Sequence, residues 1–341
     1  MRRLPVYFVI DVSDSMVGEP LEAVNDGLSK CMEVLRSDPY ALETAFINVI
    51  AFAGKVEKLV DMEEAYLCRM PEFNVGAGTS FGKALDFLMK DIEANVRKGT
   101  HEVKGDWRPV VFFFTDGNPT DNYERVLERW KKNYAMKCNT VMIALGKSVC
   151  LSTAQEITED VIQIKDSTPS RIKNVFKWIS SSVQSHSASV GKGDDDKLIS
   201  ADFVLEGGKK INREDVIRDE HPTENCVLLR GKCERTKNDY LLKYDREEGA
   251  EHFQYVGSYP IDGSKYESLS AGGTEKFEVD SDLLDGHATC PCCGNDLGLV
   301  KCGRCNKIQC ASSEDRKATC PWCGNVGQLE SARFKLGRSQ G

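Results

Sequence analysis

The chain has no apolar run approaching the about 20 residues needed to cross a bilayer. Nor has it an excess of positive charge: 45 Lys and Arg stand against 53 Asp and Glu, a formal net charge of −8. The first absence argues against a membrane span. The second argues against general attraction of the whole chain to nucleic acid or anionic lipid. Histidine is scarce, with five in 341 residues. His101, His186, His221 and His252 lie near no motif, so no general base stands beside a nucleophile and an enzyme is not expected. The N-terminus lacks the features of an export signal. Met1-Arg2-Arg3 precedes a short apolar stretch that stops at Asp11 with no small-residue cleavage site. It reads as a first strand, and a cytoplasmic location is expected.

What is present is an ordinary globular composition, 40% hydrophobic and 29% charged, in a chain long enough for two or three domains. Apolar runs at 5–11, 46–53, 109–115 and 139–145, with a weaker one at 160–164, are those of strands buried on both faces of a parallel sheet. Helical periodicity at 20–36, 80–97, 120–135 and 169–183 alternates with them, as in Ile172, Val175, Phe176 and Ile179. The pattern predicts an α/β fold, a doubly wound, mostly parallel, Rossmann-like sheet, over residues 1–184. Residues 185–197, rich in Ser, Gly and Asp, read as a flexible linker. Short alternating segments at 198–286 predict a small β-rich module, and 287–341 form a Cys-rich segment with zinc-ribbon-like knuckles.

Asp11-Val12-Ser13-Asp14-Ser15 follows the first strand directly, placing a carboxylate and two hydroxyls at the sheet edge where open α/β folds bind ligands. Thr79, after Gly76-Ala77-Gly78, and Asp116, at the end of the 109–115 strand, supply further oxygens. If these strands are neighbours, two carboxylates and three hydroxyls converge. A divalent ion removes the repulsion between the carboxylates, and Mg²⁺ takes oxygen ligands. Singly each residue is an ordinary cap or turn residue; the weight lies in the set. Asp14 is kept as an outer-shell group. Gly78-Thr79-Ser80-Phe81-Gly82-Lys83-Ala84 is not a phosphate-binding loop, because the glycine spacing is wrong and Ala84 follows the lysine.

Eight of the 14 cysteines lie within residues 290–323. Ala288-Thr289-Cys290-Pro291-Cys292-Cys293-Gly294-Asn295 recurs as Ala318-Thr319-Cys320-Pro321-Trp322-Cys323-Gly324-Asn325, with Cys302-Gly303-Arg304-Cys305 and Cys310 between. Cys-x-x-Cys pairs of this kind bind Zn²⁺ through thiolates. Trp322 stands where the first copy has Cys292, so Cys292 is read as a thiol outside the ligand set. Seven ligands remain: Cys290, Cys293, Cys302, Cys305, Cys310, Cys320 and Cys323. Two sites need eight, and His287 is the nearest candidate, with Cys226 or Cys233 as alternatives. The preferred pairing joins the first two knuckles and places Cys310 with the third; pairing the second and third is the other arrangement.

Asp11, Ser13, Ser15, Thr79 and Asp116 occur in the order and loop positions of the metal-ion-dependent adhesion site of von Willebrand factor A domains, which residues 1–185 resemble. That resemblance implies a Mg²⁺ with an open position for a partner's acidic side chain. The A domain joined to a doubled zinc knuckle resembles the TerY-like tellurite-resistance proteins, supported also by Asp11-Val12-Ser13-Asp14-Ser15-Met16-Val17-Gly18-Glu19-Pro20 and Gly78-Thr79-Ser80-Phe81-Gly82-Lys83-Ala84-Leu85. This family usually has Gly where this chain has Asp14. The resemblance implies a non-catalytic adaptor working with a Ser/Thr protein kinase and a metal-dependent protein phosphatase in a tellurite, chemical-stress or phage-defence system. The alternative is nucleic-acid binding through the zinc module, where Lys301, Arg304, Lys307, Arg316 and Lys317 surround the knuckles and Trp322 offers a stacking surface.

Overall fold

The near-continuous apolar runs form the centre of a seven-stranded sheet. In the computed structural model, which describes residues 2–102, 104–146, 149–165, 168–189, 209–211, 225–247, 249–272 and 278–337, β1 (Leu4–Asp11) lies between β2 (Ala45–Phe52) and β4 (Val110–Thr115) and runs parallel to both. Beyond β4 come β5 (Asn139–Leu145) and β6 (Val161–Ile164), also parallel. The edges depart from the pattern. β3 (Val56–Glu64) is antiparallel to β2, and β7 (Lys209–Lys210) is antiparallel to β6.

Strand alternation sorts side chains onto two faces. Val6, Phe8 and Ile10 point to the core covered by α1 (Glu19–Ser37), α2 (Pro39–Thr44) and α6 (Pro169–Ser189), whereas Tyr7 and Val9 point to the core under α3 (Phe81–Asn95), α4 (Glu124–Asn133) and α5 (Leu151–Ile157). On the first face Phe176 of α6 stacks on Phe114 at 5.0 Å and on Phe8 at 6.5 Å. This three-layer α/β/α arrangement is the one read from the sequence. Among the described residues no helix is long and apolar enough to cross a membrane.

Three boundaries differ from the sequence reading. α6 runs to Ser189, through part of the segment read as linker. Its serines do not break it: Ser180 and Ser185 donate back to the carbonyls of Phe176 and Ser181, one turn earlier. Residues 190–197 lie outside the described residues. β7 and the buried Ile211, read as part of the second module, complete the first domain's sheet and core. The third difference is that the β-rich and Cys-rich segments are one unit. β8 (Cys226–Lys232), β9 (Asp239–Asp245) and β10 (Phe253–Ile261) form an antiparallel meander, followed by α7 (Gly263–Leu269). Beyond it, β11 (Glu278–Asp280) pairs with the last strand among the described residues, and β12 (Leu284–Asp285) lies beside β10. The hairpin of β13 (Leu297–Lys301) and β14 (Ile308–Ala311) joins β8, giving the six-stranded order β12-β10-β9-β8-β14-β13. β15 (Lys317–Thr319) and β16 (Val326–Gln328) make a separate hairpin, and β17 (Lys335–Gly337) is the partner of β11.

The close packing of α1 against α6 depends on Gly27, where an added Cβ would lie 2.1 Å from Cδ2 of Phe176. Helix propensity alone favours Ala over Gly by about 1 kcal/mol, but overpacking a core costs about 1–3 kcal/mol. Gly27→Ala is therefore expected to lower stability by up to about 2 kcal/mol in urea unfolding; a stabilised protein would show that the two helices have room to separate.

Candidate metal centres

The parallel register of β1 with β4 sets Ile10 opposite Phe114, so Asp11 and Asp116 leave the same edge of the sheet from neighbouring strands. Asp11 is fully buried. Its Oδ2 accepts from Thr115 Oγ1 at 2.6 Å and its Oδ1 from the Ser13 N–H at 2.8 Å. Ser15 Oγ lies 3.0 Å from Ser13 Oγ and donates to Asp116 Oδ1 at 2.8 Å. The fifth residue arrives from the loop before α3, which is fixed by a parallel bridge between Ser13 and Gly76 and by the Gly76 N–H on the Val12 carbonyl at 3.0 Å. Thr79 is 1% exposed, and its Oγ1 has no hydrogen-bond partner among the described residues. A Cβ built on Gly117 would lie 3.2 Å from Thr79 Oγ1 and 3.8 Å from Asp11 Oδ2, which places the two oxygens on the same small space. All five residues singled out in the sequence thus meet at one place.

The electrostatics of this place favour a cation. Burial, and then the charge of Asp116, push the Asp11 carboxyl far above the ordinary carboxylate range, against the hydrogen bonds of Ser13 and Thr115. Asp116 is raised too, by burial first, with Lys243 opposing and Asp245 adding to the rise. A divalent cation would offset this cost and give Thr79 Oγ1 a partner. The donors are carboxylates and hydroxyls, a hard-cation set.

Sequence reading missed several neighbours. Thr115 orients Asp11, and Thr120 Oγ1 accepts from the Thr79 N–H at 2.9 Å. Asp121 caps α3 by accepting from Gly82 and Lys83, each at 3.0 Å. Thr115 adjoins the motif and was open to notice. Lys243 and Tyr266 come from the second domain: Lys243 Nζ donates to the Ser15 carbonyl at 2.7 Å, and Tyr266 donates to Asp14 Oδ2 at 2.9 Å. No spacing signal links them to Asp11.

The cysteines form two tetrads, Cys233, Cys290, Cys293 and Cys310, and Cys302, Cys305, Cys320 and Cys323, with the sulfurs of each set within 4.8 Å of one another. The Cys293–Cys310, Cys302–Cys323 and Cys305–Cys320 sulfurs are 3.8, 3.8 and 3.7 Å apart. A tetrahedron with metal–sulfur bonds of about 2.3 Å has edges of about 3.8 Å, whereas a disulfide needs about 2.05 Å. The preferred pairing from the sequence is therefore corrected. The second knuckle faces the third, and the first is completed by Cys310 and Cys233. His287 is exposed and belongs to neither tetrad. Cys292 likewise lies outside both.

Cys233 has a local reason to be a corner. In each Cys-x-x-Cys knuckle the first cysteine's N–H and C=O clasp the residues five and four positions on, as in Cys290 with Asn295 and Gly294, and Cys320 with Asn325 and Gly324. The residue four positions on takes a positive φ: Gly294 at 78°, Asn306 at 60°, Gly324 at 72°. The β8–β9 turn does the same, with Cys233 clasping Asn238 and Lys237, and φ 63° at Lys237. Cys233-Glu234-Arg235-Thr236-Lys237-Asn238 is thus a fourth knuckle, with Thr236 in place of its second cysteine. Asn five residues after Cys, shared with two of the others, was the available signal. Burial opposes ionisation of Cys233, but the Thr236 hydroxyl and N–H outweigh it and lower its thiol.

With this geometry in hand, comparison with known proteins gives the class. Residues 6–118 match the von Willebrand factor type A domain and residues 223–341 match the TerY-C metal binding domain, so the molecule is an A domain joined to a second, metal-binding domain. This pairing of domains is the one that the resemblance to TerY-like proteins predicts. No curated protein sequence matches it. Among solved structures it is similar to proximal thread matrix protein 1 from the mussel byssus, at 17% identity and a TM-score of 0.40 over 54% of this chain and 46% of that one. The same mussel protein with a zinc occupied MIDAS motif gives 18% identity and a TM-score of 0.39 over 55% and 46%. The ArnB paralog VWA2 from Sulfolobus acidocaldarius gives 12% identity and a TM-score of 0.39 over 79% and 69%. The chain spans about half the length of the mussel protein.

The corrected tetrads make a direct prediction. Cys233→Ser is expected to lose about one of two equivalents of thiolate-bound metal, as read by elemental analysis of the purified protein, while His287→Ala keeps both. Loss of metal in the His287 variant would restore the histidine as a ligand.

Proposed function

We propose that this chain is a non-catalytic adaptor whose A domain holds Mg²⁺ through Asp11, Ser13, Ser15, Thr79 and Asp116 and offers that ion to an acidic side chain of a partner protein. One observation carries the reading: the buried Thr79 Oγ1, with no partner among the described residues, faces the same space as the Asp11 carboxylate. With both carboxylates engaged as ligands of the cation, neither is free to act as a general base, and the set holds no imidazole, thiol or amine, which favours ligation over turnover. Two Zn²⁺ ions in the cysteine tetrads would fix the second domain's hairpins, since metal affinity in such small modules is folding free energy. The resemblance to TerY-like proteins supports a protein kinase and a metal-dependent protein phosphatase as partners, in the cytoplasm, within a tellurite, chemical-stress or phage-defence system.

The setting of Trp322 counts against the nucleic-acid alternative. The Lys232 and Lys307 ammonium groups sit 4.2 and 4.4 Å from the Trp322 ring centroid, and the indole N–H donates to the Ile308 carbonyl at 2.7 Å. Trp322 is held as part of the knuckle, and its ring is already engaged by the chain's own lysines.

Affinity purification from the native cell tests the adaptor reading. Asp11→Ala, with its fold checked by circular dichroism, is expected to weaken Mg²⁺-dependent partner capture at least about tenfold, equivalent to about 1.4 kcal/mol. Undiminished capture by a folded Asp11→Ala protein would contradict it.

A further inference from the structure

The second domain does not hang beside the cation site; it is seated on it. Strand alternation in β9 sends Tyr240, Leu242 and Tyr244 into the core beside the cysteines, while Leu241 joins the A-domain core. Lys243 and Asp245 share the face of Leu241, and Lys243 Nζ reaches the Ser15 carbonyl. From α7, Tyr266 and Leu269 enter the same A-domain core, and Tyr266 binds Asp14. The chain after α7 closes on two more loops. Ser270 Oγ accepts from the Ala77 N–H at 2.9 Å, the Ala271 N–H donates to the Ala77 carbonyl at 3.0 Å, and the Lys55 N–H donates to the Leu269 carbonyl at 2.8 Å.

Glycines make room for this contact. A Cβ on Gly54 would lie 1.8 Å from the Ala271 nitrogen, and one on Gly76 would lie 2.7 Å from Leu269 Cβ. The covered loops are those that carry Asp11, Ser13, Ser15 and Thr79; Asp11, Ser13 and Thr79 are buried, while Ser15 and Asp116 at the rim are half-buried.

We propose that the C-terminal domain is an intramolecular lid on the adhesion site: β9 and α7 close over the donor loops, and a partner's carboxylate reaches the cation only when the two domains part. The lid rests on the reading that the site holds a cation. It identifies the occupant of the adhesion face in the resting chain as the chain's own second domain. It also makes capture a competition between Lys243, Tyr266 and Leu269 on one side and the partner on the other. Lys243 gives the lid a charge opposite to that of Asp116, and Tyr266 fixes it to Asp14.

The test uses the full chain, Mn²⁺ as the probe, and two opening variants: Lys243→Ala/Tyr266→Phe, which removes the clasp, and Gly54→Val, which wedges the seam from the other side. Amide hydrogen exchange reads the seam at Lys55, Ala77 and Ala271. Water-proton relaxation reads the access of solvent to bound Mn²⁺, with the Asp11→Ala protein as the baseline. The expected result is slow exchange at the three amides in the unaltered chain. In the variants exchange there should be about tenfold faster with β4 unchanged, and each Asp11-dependent Mn²⁺ should relax more water. Fast exchange at the seam in the unaltered chain, or equal water access in closed and opened proteins, overturns the lid alone. Absence of any Asp11-dependent Mn²⁺ binding overturns the cation-site reading and the lid with it.

Discussion

Two carboxylates at one edge of a sheet, Asp11 buried and Asp116 half-buried, are the constraint around which the molecule is arranged. Asp11 and Asp116 are brought together by the parallel pairing of β1 and β4, which is itself fixed by the apolar side chains those strands bury on both faces. The fold therefore forces a repulsion that Lys243, from the second domain, offsets only in part. It surrounds the carboxylates with hydroxyls from Ser13, Ser15 and Thr115, and leaves Thr79 Oγ1 unpartnered among the described residues. Such a site is costly for an isolated protein and suited to one that binds a cation.

The second domain is organised by a different device, a six-residue turn used four times. Each turn clasps one cysteine between backbone hydrogen bonds and places a positive φ four residues on. Three carry a second cysteine, and the fourth, at Cys233, is completed by Cys310 from β14. Because Cys233 directly follows β8 and lies in the turn before β9, the tetrad is tied to the strand that carries Lys243 and Leu241 toward the A domain. One face of β9 thus serves the cysteine core and the other the adhesion face. Metal held in the tetrads would stiffen the platform from which the second domain covers the first.

The sequence displays the parts of this design that repeat a pattern or concentrate apolar residues. β1, β2, β4 and β5 stand out as apolar runs, the adhesion residues as an ordered set, and the paired cysteines as a repeat. What it conceals depends on contacts between distant segments. β3 is a polar edge strand with register irregularities and a positive φ at Met62, so its alternation is broken. α5 has seven residues and β7 two, too short for periodicity to register. Cys233 was left beside His287 because a turn with one cysteine does not look like a knuckle until its backbone is seen. The division into a β-rich and a Cys-rich module followed composition, whereas β14 crosses that line to pair with β8.

The central claim, that a divalent cation relieves the Asp11–Asp116 pair, is tested most directly by thermal unfolding across pH, with and without Mg²⁺, on protein whose cysteine sites stay loaded. Burial and Asp116 raise the folded-state value of Asp11 above that of the unfolded chain. Without Mg²⁺ the folded protein therefore holds a proton that the unfolded chain releases above about pH 4, and this site costs stability as the pH rises. Mg²⁺ favours the ionised pair, so the stabilisation it confers should grow from about pH 5 to about pH 8 and vanish in Asp11→Asn. A Mg²⁺ effect that is flat with pH, or that survives in Asp11→Asn, would contradict the account.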